Sequence, residues 1–124
     1  MPSRNPEVRL REIRDNIRLA QSFVADFNLR RFKTDTRTIY AVTRCLEIIS
    51  EASRRLPASL KNRHLDIAWK DIAGAGNVYR HDYEEVSTEM VWNTVKALPG
   101  LLAAAEQELA PIKPPRSKRK AGCS

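Results

Sequence analysis

The sequence has little of what most reactive sites are built from. It holds two cysteines, Cys45 and Cys123, and two histidines, His64 and His81. Two widely spaced cysteines make no disulfide framework, and so few soft ligands argue against a zinc site or any other metal site from this chain alone. GxxxxGK, GxSxG, HExxH and CxxC are all missing. That removes the phosphate-cradling loop, the nucleophile elbow, the zinc-protease helix and the paired-thiol redox site from the candidates. No apolar run approaches the ~20 residues that a membrane span requires. The opening residues, Met1 to Glu7, carry no apolar stretch, so no secretory signal is expected. Cys45 falls in an apolar helical pattern and Cys123 in a polar tail, so both are expected as reduced thiols in a cytoplasmic protein. Neither an internal repeat nor a strand-like alternation is present, which leaves helices to build the fold.

What is present begins with charge. The 124 residues suit one domain. The formal net charge is +7, yet residues 111–124 hold Lys113, Arg116, Lys118, Arg119 and Lys120 and no acid. Without those five, 17 basic residues face 15 acidic ones, so the body carries only about +2. The basic character lives in the tail, and a broad nucleic-acid platform on the folded body is not expected. The expected division is therefore a helical domain over 1–110 and a basic, disordered tail over 111–124.

Apolar residues recur at spacings of three and four. Leu10, Ile13, Ile17, Ala20, Val24 and Phe27 define a helix from about Glu7 to Phe27, followed by a polar break over 28–33. Asp35 is placed to cap a second helix from about Thr36 to Leu56, ended by Pro57. Glu47 and Glu51, one turn apart on it, read as solvated carboxylates. A short helix or turn over 58–68 leads into a helix from about Trp69 to Arg80. Ser87 or Thr88 opens a last helix to about Leu109, which Pro99 should bend or split. The expected fold is all-α, an antiparallel bundle of four or five helices.

One segment is dense in chemistry: Gly74-Ala75-Gly76-Asn77-Val78-Tyr79-Arg80-His81-Asp82-Tyr83. If the helix persists, Asn77 and His81 are four apart and share a face, with Gly76 and Arg80 in a neighbouring row. Gly74 and Gly76 each cost up to ~1 kcal/mol against alanine in a helix interior. Such glycines are usual where another backbone or a ligand comes close. A histidine that titrates near neutrality suits proton transfer, and an arginine holds phosphate by two parallel hydrogen bonds. Together they fit metal-free phosphodiester chemistry in which an RNA 2′-hydroxyl attacks the adjacent phosphorus. The same residues also fit a bland alternative, with the histidine capping carbonyls at a helix end and the tyrosine packing. His64, flanked by Lys61, Asn62 and Arg63, reads as part of an exposed turn.

Asn77, His81 and Tyr83 resemble the signature of HepT-like HEPN proteins, in which arginine and asparagine precede a histidine, any residue and a tyrosine. The resemblance takes in Trp69 to Gly74, the stretch Leu46 to Ala52 and the N-terminal Leu10-Arg11-Glu12-Ile13, so it runs over about residues 8–109. It implies a HEPN-like helical bundle that forms a homodimer, with the motif segments facing each other. It also implies a metal-independent ribonuclease toxin without cofactor, acting on RNA such as tRNA or mRNA. Its partner would be an MntA-type nucleotidyltransferase antitoxin that attaches AMP to the motif tyrosine, here Tyr83. The chain departs from the pattern in one place. Gly76 stands where the family has arginine before asparagine, so Arg80, one turn on, is the candidate phosphate clamp. Loss of the arginine keeps open a second reading, a non-catalytic dimeric module that binds a nucleotidyltransferase.

Overall fold

A computed structural model describes residues 5–81 and 88–111, the side chains of 76–81 excepted. All regular structure among the described residues is helical: α1 (Glu7–Phe23), α2 (Leu29–Lys33), α3 (Thr36–Arg54), α4 (Ala58–Lys61), α5 (Trp69–His81), α6 (Thr88–Lys96) and α7 (Leu98–Leu109). Two of these, α2 and α4, are single turns, so the all-α bundle expected from the periodicity stands with short helices added in its connections.

The core forms where the apolar stripes of α1 and α3 meet. Leu10, Ile13, Ile17 and Ala20 from α1 and Val42, Leu46, Ile49 and Ala52 from α3 are all buried. Burying a side chain of this size stabilises the fold by about 1.5–3 kcal/mol. Leu98, Leu101 and Leu109 of α7 and Val91 and Val95 of α6 join the same cluster. Asp35 caps α3 as its sequence position predicted, its Oδ1 accepting from the Thr38 backbone N–H at 3.0 Å. That bond holds the Asp35 carboxyl below the usual aspartate range. Glu47 and Glu51 pair with Arg44 and Arg55 along the α3 surface. Cys45 is buried within the helix as a free thiol, and burial pushes its pKa up.

Three local expectations are corrected. The first helix ends at Phe23 rather than Phe27. Residues 28–33 are a capped helical turn rather than a polar break: Asn28 accepts from the Arg31 N–H at 2.9 Å. The reason is Phe32, fully buried with its ring 5.3 Å from that of Trp92. His64 is buried too, contrary to the exposed turn expected from its neighbours. Elsewhere the breakers act as anticipated, and the C-terminal helical stretch is split at Ala97, with Pro99 in the first turn of α7.

A clip ties this architecture together near its C-terminus. Arg63 donates to both oxygens of Glu108, Nε at 3.1 Å and Nη2 at 2.7 Å, and His64 Nε2 lies 2.6 Å from the same carboxylate. The Arg63 hydrogen bonds, and then that of His64, hold the Glu108 carboxyl below the usual glutamate range. The loop before α5 is thereby fastened to the end of α7. Arg18 of α1 pairs with Glu106, two residues earlier on α7.

Candidate active site on the fifth helix

Up to His81, the segment that carries the candidate chemistry is helical. α5 begins at Trp69, whose indole N–H donates to the His64 carbonyl at 3.0 Å, and it continues unbroken to His81. Midway it is pinned to α3, the buried Ser50 hydroxyl donating to the Ala73 carbonyl at 2.9 Å. Trp69, Ile72 and Ala75 pack against the core and define the inward face. Lys70 and Gly74 are exposed and define the outward one.

The helix register extends that division. Positions 70, 74, 77 and 81 are spaced by four, three and four, so they form one row along the helix. The backbone thus places Asn77 and His81 in the row that begins with exposed Lys70 and Gly74. Arg80 falls in an adjoining row, four residues on from Gly76. Periodicity alone made this juxtaposition legible, and a continuous helix is the condition it needed. Tyr83 lies outside the described residues.

Gly74 separates two explanations for a glycine in mid-helix. A Cβ added there would meet nothing within 4 Å. No described residue therefore requires glycine at 74, although glycine is costly in a helix. What its missing side chain leaves is bare backbone, one turn from Asn77 and two from His81, open to a molecule arriving from outside. Among the described residues no group of three His, Cys, Asp or Glu side chains is placed to hold a metal ion.

The HepT-like family of ribonucleases, described as "Ribonuclease HepT-like", matches residues 13–108. The chain belongs to this family. The match takes in every helix from the middle of α1 to the end of α7, with α5 and its motif inside. Among similar proteins is one from Thermococcus cleftensis named "Probable ribonuclease HepT", 36% identical over 70% of this chain and 79% of its own length. A candidate RNase from Methanocaldococcus jannaschii is 30% identical over 77% of this chain and 78% of its own. Another, from Caldanaerobacter subterraneus, is 34% identical over 63% of this chain and 70% of its own. No solved structure matches the chain significantly. The helix runs through Gly76 without a break. Position 76 lies one residue before Asn77 and presents no side chain to phosphate.

Proposed function

We propose that this HepT-like protein is an RNA endonuclease that works without a metal, with its reaction centred on the outward row of α5. The observation that supports it most is the unbroken helix through His81, which puts Asn77 and His81 on one row with the vacant position Gly74, inside a family of ribonucleases. In the proposed reaction the RNA 2′-oxygen bonds to the adjacent phosphorus while the bond to the 5′-oxygen breaks. His81 takes the 2′-hydroxyl proton or delivers one to the departing 5′-oxygen. Arg80 stands in for the arginine missing at 76 and balances charge on the phosphoryl oxygens. Asn77 positions the phosphate. Two copies facing each other would place both sets of residues in one cleft.

The biological setting that fits is a toxin restrained by a nucleotidyltransferase antitoxin. AMP attached to Tyr83 would bring a bulky anion two residues from His81, repelling RNA and filling the space in front of the row. A second reading is favoured by Gly76: without the arginine, the protein is a dimeric module that binds its transferase partner and does not cut. Cleavage of a tRNA pool in EDTA decides between them, using freshly purified protein whose mass shows Tyr83 unmodified. The nuclease reading expects cutting that falls ~100-fold or more in His81→Ala and in Arg80→Ala. Intact RNA after incubation with the unmodified wild-type protein would establish the module instead.

A further inference from the structure

Beside the outward row of α5, and separate from it, the helices open into a groove. Between the N-terminal half of α5, α6 and the first turn of α7 lies a cavity of about 810 Å³. Its lining is mostly apolar, with Ile67, Ile72, Ala75, Met90 and Leu101 among its residues. Met90 is 39% exposed there. The lining also includes Asp66, Asp71 and Glu89, all exposed, and no lysine or arginine among the described residues. None of the three acids forms an ion pair among the described residues. On a body that carries about +2, these three carboxylates make the groove locally acidic. RNA is the wrong occupant for it, because three carboxylates would face phosphate.

We propose that this groove seats the protein's own C-terminal segment, residues 112–124. Its composition is complementary on both counts. Ile112, Pro114 and Pro115 offer apolar surface to the floor, and Lys113, Arg116, Lys118, Arg119 and Lys120 offer five cations to three acids. The prolines also lower the conformational entropy that ordering the segment would cost. Geometry places the segment within reach. The clip of Arg63 and His64 on Glu108 fastens the end of α7 beside the 62–68 loop, and Asp66 and Ile67 of that loop form one end of the groove. The far wall, at Gly100 and Leu101, lies about one helix length back along α7, roughly 15 Å at 1.5 Å per residue. Thirteen residues extend to roughly 43 Å, so the segment spans the groove in an extended form. Seated there, it is an intramolecular partner that a polyanion would compete away. This inference stands whether or not the chain cuts RNA.

Cys123 gives the test a native handle. It lies one residue from the end of the chain, whereas Cys45 is buried with its thiol held protonated, so a maleimide nitroxide labels Cys123 selectively. Amide spectra of the full-length labelled protein are then compared with those of the reduced label. The expected result is loss of intensity confined to the groove, at Ile67, Ile72, Asn93 and Gly100. It should recover in ~0.5 M salt, where the screening length falls to a few ångströms. It should recover equally in the Asp66→Lys, Asp71→Lys, Glu89→Lys triple variant, whose changes are all at exposed positions. The salt arm holds even if that variant folds poorly. Groove amides that keep full intensity at low salt would overturn the proposal. Losses that persist when labelled chains are mixed with isotopically distinct unlabelled ones would overturn it too, by assigning the groove to another copy's tail.

Discussion

The two histidines of this chain bracket the same helix, and they mark opposite ways of using a residue. His64, five residues before α5 begins, is buried and locked between a carboxylate and the loop it supports. His81 ends α5 on a row whose earlier members, Lys70 and Gly74, face outward. Around His64 the chain spends its polar groups on each other: Arg63, Glu108 and the Trp69 indole are all engaged. Along the outer row of α5 it keeps an unfavourable glycine where no described residue asks for one. A residue type therefore says little about role until its surroundings are known. The clip region is built for stability, and on the proposed reading the outer row is kept open to RNA.

The largest effect belongs to the core that both regions lean on. Phe32→Ala removes a fully buried ring packed at a tilt beside Trp92 and should cost about 3–5 kcal/mol. Chemical denaturation measures it, and a loss below about 1 kcal/mol would mean that α2 is dispensable. Next comes the clip. Glu108→Gln should destabilise by about 1–3 kcal/mol, because Arg63 and His64 lose their shared charged acceptor. Its pH dependence has a definite sign. The Glu108 carboxyl is more acidic in the folded protein, so its contribution is complete above the ordinary glutamate range. It is lost as pH falls through the lowered folded value. The gap in melting temperature between wild type and Glu108→Gln should therefore close on acidification from pH 6. A gap that widened would contradict the assignment.

The smallest stability change is the one that sharpens the contrast most. Gly74→Ala should raise stability, by up to ~1 kcal/mol, since the added methyl meets nothing and alanine favours the helix. On the proposed reading it should also lower RNA cleavage, because the methyl fills space kept for an incoming molecule. A melting temperature that rises with cleavage unchanged would leave the outer row without a role in access.

Much of this was legible in the sequence, for reasons that can be named. Long stripes at three- and four-residue spacing identified α1 and α3, because many apolar residues vote together in a helix of four or five turns. Asp35 and Pro99 marked boundaries through chemistry that acts within a turn of where it sits. Asn77 and His81 were placed together by spacing alone, which a continuous helix honours. What stayed hidden depends on partners far along the chain. The α2 turn, Leu-Arg-Arg-Phe-Lys, has too few residues to show a period, and Trp92, the ring beside buried Phe32, lies sixty positions on. His64 looked exposed because Lys61, Asn62 and Arg63 precede it, while Glu108 lies 44 residues away. The groove lies between α5, α6 and α7, and no local pattern encodes that. Gly76 is the reverse case, where the sequence alone showed the missing arginine.

The most direct test of the account is a paired substitution, His64→Ala and His81→Ala, each measured for melting temperature and for RNA cleavage in EDTA. The account predicts that His64→Ala lowers the melting temperature by several degrees, while the protein that remains folded cuts at close to the wild-type rate. His81→Ala should melt like wild type and lose cleavage. Cleavage that survives in His81→Ala, or that disappears in folded His64→Ala, would contradict the division of labour between the two ends of α5.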